Sequence, residues 1–431
     1  MKPVRTLSQA FVALALVALT GCSGTLDSVG GDSSDRSSGV GGSGVGGSGV
    51  GGSSGALSVP QPLTGPATYP NAFKDLLGKT DAEIDAKVSL AFSRLFHGDM
   101  DTEAIYFSVG TDQALIRDVL HNDVRSEGIA VGMTVAVELD KREEFDRLWT
   151  YAQANLEQAT GPGRGYFNSI CDDMTPCLDP YGMQQFVTAL LFAHGRWGST
   201  TAAPYGSQAL KLLALLKDKE TENGGVISNV TSVFDATTAL AREQPSLAMA
   251  GYTRSSLQMP GTYELWAQAS GDPFWARAAA ASRALLVASA DPTTGLWPMR
   301  NYFDGSAATG FDSYRSQAFR TQINLALDAA WGGGRADQTA IANRVLAFFT
   351  KQGLNTYGAA YSIDGTVLDS AREAGLVSVN GALASAGTVT NRTAFVNAVW
   401  SQAIPNRSIR YYDGILYLMS VLVLSGQYRI Y

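Results

Sequence analysis

The stretch Asn122-Asp123-Val124-Arg125-Ser126-Glu127-Gly128-Ile129-Ala130-Val131-Gly132-Met133 leads into a helical pattern. Ile129, Met133, Ala136 and Val137 fall on one helical face, which predicts a helix over 127–139. A charged turn follows, Asp140-Lys141-Arg142-Glu143. Phe145, Leu148, Trp149 and Ala152 then predict a second helix over 143–156. The local unit is a pair of helices joined by a short turn.

The same unit recurs on both sides. Upstream, Ile84, Val88, Phe92 and Leu95 make one apolar face over 81–95, with Thr80 and Asp81 as candidate caps. Downstream, helices are predicted over 186–197, 207–216, 262–269, 274–288, 321–331, 338–349 and 415–424. Gly, Pro, Asn or Asp punctuates nearly every gap. Strand-like alternation is scarce outside 357–363. The total is about ten to twelve helices, many separated by short loops. A solenoid would repeat its sequence, and no repeat is found after residue 56. The expectation is an all-α single domain closed into an α/α barrel.

The N-terminus reads as an address. Lys2 and Arg5 form a basic region and residues 10–20 an apolar one, as in a signal peptide. The run Leu19-Thr20-Gly21-Cys22 looks like a bacterial lipobox, so Cys22 is the expected lipidation site. Residues 23–56 are mostly Gly and Ser, with Gly-Val-Gly-Gly-Ser repeated three times from Gly39. Such a segment buries no core and behaves as a flexible spacer with a reach of roughly 30 Å. The expected organisation is a lipoprotein signal peptide over 1–21, the lipidated Cys and linker over 22–65, and the barrel over 66–431.

Composition removes other classes. The chain has 431 residues, is 45% hydrophobic and 16% charged, and has a formal net charge of −7. That balance is not that of a disordered chain. Nothing reaches 18 consecutive apolar residues. Nucleic acid is not an expected partner, since no long basic run occurs. The three His (His97, His121, His194) fall at no metal-ligand spacing, so no metal is expected. Cys171 and Cys177 remain after lipidation. An oxidising compartment favours a disulfide between them, while two buried thiols are the alternative.

The block 122–133 resembles the acid-bearing motif of glycoside hydrolase family 8, most of all the branch that releases xylose from the reducing end of xylo-oligosaccharides. Further stretches follow in the right order: Asp81-Ala82-Glu83-Ile84, Leu95-Phe96-His97-Gly98, the segment from Glu138 to Asp146, Ala189-Leu190-Leu191-Phe192-Ala193 with Arg196-Trp197-Gly198, and Tyr263-Glu264-Leu265-Trp266-Ala267. The resemblance implies an (α/α)6 barrel with a long cleft for β-1,4-linked sugars. It also implies hydrolysis with inversion, without cofactor or metal. Inversion needs a protonated carboxyl to serve the leaving oxygen and an ionised one to draw a proton from water, about 6.5–9.5 Å apart. By resemblance Glu127 is the proton donor.

The family's other carboxylates are not found in register. Where its pattern carries Asp-Gly, this chain reads Asp179-Pro180-Tyr181-Gly182, with Tyr181 at the Asp position. The base-bearing pattern aligns with Tyr314-Arg315-Ser316-Gln317-Ala318-Phe319-Arg320, followed by Asn324, and puts Gln317 at the base. A second register through Phe311-Asp312-Ser313-Tyr314-Arg315 would offer Asp312, but lacks the Asn four residues on. Ser169 replaces an expected aromatic, and Arg254 stands where the family often has Asp. The resemblance makes Arg125 and Arg320 substrate-binding candidates, and Tyr314, Trp297 and Tyr181 lie in loops or helix ends suited to stacking on sugar.

Three readings follow. One is an inverting hydrolase of a β-1,4-linked glucan, xylan or exopolysaccharide, weakened by these changes, with Asp312 or Asp179 as a displaced base. Another is a non-catalytic glycan-binding lipoprotein. The third is a component of exopolysaccharide export. All place the chain in the bacterial cell envelope, lipid-anchored at the outer membrane.

Overall fold

In the computed structural model the described residues are 59–171, 174–222, 228–332 and 335–431. The signal peptide, Cys22 and the Gly/Ser repeats lie outside them. Fourteen α-helices occur among the described residues: α1 (Ala72–Leu77), α2 (Asp81–His97), α3 (Ser126–Glu138), α4 (Arg142–Asn155), α5 (Pro180–Trp197), α6 (Tyr205–Lys217), α7 (Lys219–Glu222), α8 (Pro260–Ser270), α9 (Pro273–Ser289), α10 (Arg320–Gly332), α11 (Ala336–Gln352), α12 (Ala374–Ala384), α13 (Arg392–Ser401) and α14 (Tyr412–Leu424). None is long and apolar enough to cross a membrane.

Burial sorts the helices into two rings. In α3 every residue from Ser126 to Glu138 except Glu127 is buried, and α14 is buried throughout after Tyr412. A helix buried on all sides belongs to an interior. In α4 only Phe145, Leu148, Trp149 and Ala152 are buried, the stripe of an outer helix. The inner ring is α3, α5, α8, α10, α12 and α14, each packed on the next, with α14 returning to α3. The outer ring is α4, α6, α9, α11 and α13, each following its inner partner in sequence, with α2 against α14. This is the (α/α)6 barrel. The rings are joined by apolar contacts such as Phe186 of α5, whose ring lies 5.4 Å from Trp149 of α4 and 4.7 Å from Phe167. Full burial of such a side chain contributes roughly 1.5–3 kcal/mol.

The six inner helices start at one end of the barrel, and close contacts record it. Tyr411, before α14, approaches Gly128 of α3, and Gly375 of α12 donates its N–H to Asp413 of α14. The Tyr412 hydroxyl donates to the Ser316 carbonyl ahead of α10, and Asn324 of α10 donates to the Ser256 carbonyl ahead of α8. Short strands decorate the connections: hairpins β1 (Tyr106–Val109) with β2 (Gln113–Ile116) and β3 (Asn168–Ile170) with β4 (Pro176–Leu178). Further on, β5 (Tyr252–Thr253) pairs with β6 (Asn301–Tyr302), and β7 (Ser313–Tyr314), β8 (Ala360–Ser362) and β9 (Val367–Asp369) form a three-stranded sheet.

Three details depart from the sequence reading. Helix α5 begins at Pro180 rather than at 186, because Asp179 caps it and Pro180 sits in its first turn. Helices α12 and α13 lacked a readable stripe. Contacts with the barrel also begin ahead of residue 66: the Gln61 N–H reaches the Ala269 carbonyl at 2.8 Å, and the Thr64 N–H reaches Gln268 Oε1 at 2.8 Å.

Candidate active site

Glu127 is the second residue of α3, so its carboxylate meets the positive end of the helix dipole. The Ser126 N–H beside it donates to Ser169 Oγ at 3.2 Å. Helix α5 comes so close that a Cβ on Gly182 would stand 2.8 Å from the Glu127 nitrogen and 2.6 Å from Ser126 Oγ. Only glycine fits there, and this approach brings Tyr181 beside Glu127. Asp179 accepts the N–H groups of Tyr181 and Gly182 at 3.0 and 3.1 Å.

Arg320 opens α10 from the opposite side. Its Nη1 donates to Glu127 Oε2 at 2.8 Å, with both side chains largely buried. Its guanidinium carbon lies 4.3 Å from the centroid of the Tyr181 ring. Burial opposes the Arg320 charge most, but the facing Glu127 carboxylate together with Tyr412, Tyr181 and Asp179 outweighs it and holds the guanidinium well above its ordinary range. Burial likewise pushes the Tyr181 phenol up, with Arg320 pulling it partly back. Gln317, in the 3-10 turn before α10, is buried, and its amide oxygen has no hydrogen-bond partner. Glu127, Tyr181, Gln317, Arg320, Arg125 and Asp179 line one cleft.

The far part of the same cleft holds a group that sequence reasoning missed. Glu243, fully enclosed, accepts from Arg254 Nε at 2.8 Å and from Arg300 Nη2 at 2.7 Å. Arg254 had been singled out alone. Its partner stands 11 residues away in irregular chain, and no periodic signal links the two. Cys171, on the cleft wall, is disulfide-bonded to Cys177 with Cα atoms 5.8 Å apart.

Three sequence candidates lie elsewhere. Asp312 is exposed, does not line the cleft, and is fixed through its carbonyl, which accepts the Ile363 N–H at 3.1 Å. Tyr314 is fully buried, with its hydroxyl donating to Gln322 Oε1 at 2.6 Å. Trp297 is also fully buried, with Nε1 donating to the Leu286 carbonyl at 3.0 Å. Both rings are core, because each finds its polar partner inside the protein. Arg125 lines the cleft but is paired with Asp123 at 3.0 Å and Asp118 at 3.2 Å. Those two carboxylates and His121 bring three possible ligand atoms within 4.8 Å. The Arg125 cation already answers their charge.

The model of the family described as glycosyl hydrolases family 8 matches residues 109–426. A reducing-end xylose-releasing exo-oligoxylanase of Paenibacillus barcinonensis is 34% identical over 380 residues, covering 84% of this chain and 97% of its own length. One from Halalkalibacterium halodurans is 33% identical, covering 84% and 94%. Among solved structures, a family 8 xylobiose complex from Teredinibacter turnerae superimposes with a TM-score of 0.79 at 34% identity, covering 84% of this chain and 98% of that one.

Proposed function

The chain belongs to glycoside hydrolase family 8, and on that premise we propose that its cleft binds β-1,4-linked xylo- or gluco-oligosaccharides and hydrolyses them slowly at most. The observation that carries this is the side chain facing the acid's cleft where a base is needed. Gln317 lines the cleft with Glu127, its amide oxygen buried and unpaired. An amide accepts a hydrogen bond from a water or a sugar hydroxyl, yet takes no proton at neutral pH. Losing a general base costs about 10²–10⁴-fold in rate.

The other lining carboxylates are poor substitutes. Asp179 is engaged as the cap of α5. Glu243 is held between Arg254 and Arg300. In this reading Glu127 keeps the position of the proton donor in an inverting mechanism, Gln317 holds the water, and Tyr181 fills the place of the second Asp. The chain is also proposed to be a lipoprotein of the cell envelope, anchored through Cys22 at the outer membrane.

Calorimetric titration with xylo- and cello-oligosaccharides, run beside a product assay, tests the main reading. Saturable heat with little product is expected. Turnover matching that of the relatives would overturn it, and absence of binding to either series would leave export as the better role. Cys22→Ser should release the protein from membranes; unchanged membrane association removes the anchor from the proposal.

A further inference from the structure

The base is not the only group whose chemistry the cleft alters. Arg320 Nη1 donates to Glu127 Oε2 at 2.8 Å, and its guanidinium lies over the Tyr181 ring at 4.3 Å. By resemblance the residue at 181 is Asp, a carboxylate that would share this guanidinium. A tyrosine offers it only a ring face. The Nε of Arg320 is left buried without a partner, as expected where a second acceptor has gone.

We infer that Arg320 is a positioning residue which, with Tyr181 in place of a carboxylate, holds Glu127 in its ionised form and so disables the acid as well as the base. This rests on Glu127 being the family's proton donor. An inverting acid must carry a proton before it can serve the leaving oxygen. A cation within about 4 Å favours the carboxylate, typically by about 1–3 units. Groups from four elements surround Glu127. Arg320 faces it from α10, Tyr181 from α5 and Tyr411 from the start of α14, while Arg125 precedes it on its own helix. Burial pushes both phenols up. The remaining charged groups of the cleft are Asp179, Glu243 and Arg254. Asp179 works against ionisation of Glu127, whereas Glu243 is paired with Arg254 and Arg300. Arg320 donates to Glu127 at 2.8 Å.

Infrared difference spectra between the protein and its Glu127→Gln variant isolate the Glu127 carboxyl band, which is titrated across pH without any sugar present. The expected midpoint in the parent lies below the ordinary carboxylate range. Arg320→Gln should raise it by at least about one unit, Tyr181→Asp should raise it by giving the guanidinium a second anion, and Tyr181→Phe should leave it in place. If Arg320→Gln does not fold, the Tyr181→Asp and Tyr181→Phe pair carries the test. An equal midpoint in parent and Tyr181→Asp, or a parent midpoint at or above the ordinary range, overturns the inference. Because no sugar enters the titration, that failure leaves oligosaccharide binding standing, whereas failed binding leaves the titration readable.

Discussion

Helix α3 begins with one glutamate and ends with another, and the two ends of the barrel treat them oppositely. At the cleft end Glu127 faces a guanidinium across a lined opening. At the other end Glu138 is enclosed by the last residues of the chain. It accepts the Arg429 N–H at 2.9 Å, the Ile430 N–H reaches the Tyr69 hydroxyl, and Tyr431 packs so tightly that a Cβ on Gly195 would touch its carbonyl at 2.2 Å. Burial pushes the Glu138 carboxyl well up, toward the neutral form. Buried polar atoms without partners lie at the cleft end on Ser126, Gln317, Arg320, Thr321 and Tyr411, while at the sealed end Glu138 keeps one such oxygen, Oε1. Native interiors rarely leave such atoms unpaired without a reason. The sealed end is built for stability, and the open end keeps polar atoms in hand for a polar ligand.

The largest effect that sharpens this contrast is catalytic. On the proposed reading, in which Tyr181 fills the second carboxylate position and Glu127 stays paired with Arg320, Gln317→Asp alone should give little. Gln317→Asp with Tyr181→Asp should raise hydrolysis of a β-1,4-oligosaccharide by about 10²-fold or more, the low end for restoring a general base. Adding Glu127→Gln should abolish the gain. Steady-state kinetics on xylo- and cello-oligosaccharides read this. A parent rate already equal to the double variant's would mean that another group serves as base.

At the sealed end the expected effect is on stability. Glu138→Ala takes the buried acceptor from the Arg429 N–H, at a cost of about 1 kcal/mol. Denaturant unfolding should register it, and oligosaccharide affinity should not change. A loss of affinity equal to the loss of stability would break the division between the two ends.

The barrel was legible because outer helices carry an apolar stripe and most inner ones a long apolar run. Ile84, Val88, Phe92 and Leu95 announced α2, and Ile129, Met133, Ala136 and Val137 announced α3. Helix α12 escaped because Gly375, Ser378, Gly381 and several Ala are spread along it, so no face stands out although nearly all of it is buried. The start of α5 escaped because Pro180 and Gly182 read as breakers, when the one suits a first turn and the other permits close approach. Glu127, Tyr181 and Gln317, named from the motif, line the cleft, and their roles belong to the proposal. Glu243 was not so named, since its meaning lies in two arginines brought to it by folding, 11 and 57 residues on. Tyr314 and Trp297 were misplaced because nearness to a motif says nothing about which way a ring turns.

A smaller effect tests the cleft end through pH. Glu373, half-buried at the cap of α12, has its carboxyl pushed up to about 7 by burial first, then by Asp413 and Asp369. Its raised value favours the protonated form in the folded protein. The stability it contributes is therefore complete below the ordinary value of 4.5 and is lost as pH rises through about 7. Partial exposure screens the effect to on the order of 1 kcal/mol or less. Thermal melts of the parent should fall across that window relative to Glu373→Gln, which carries no proton to lose. Parallel curves for the two proteins would assign the pH dependence to another group, with Asp413 next in order since burial raises it too.

The smallest effect lies furthest from the cleft. Thr80 caps α2 in a reciprocal pair: Thr80 Oγ1 accepts the Glu83 N–H at 3.3 Å, and Glu83 Oε2 accepts the Thr80 N–H at 2.9 Å. Those two bonds satisfy donors that a helix start otherwise leaves to water. Helix α2 is the outer helix against α14 and contributes no residue to the cleft lining. Thr80→Ala removes the acceptor for Glu83 and frees its side chain, at a cost of about 1 kcal/mol. The expected result is a lower denaturant midpoint with an unchanged slope, because the surface exposed on unfolding is the same. Oligosaccharide affinity and the Glu127 titration should stay where they are. If Thr80→Ala moved either of them, the outer ring would be positioning the cleft through α14 and Tyr411, and the separation between a supporting shell and a binding end would have to be redrawn.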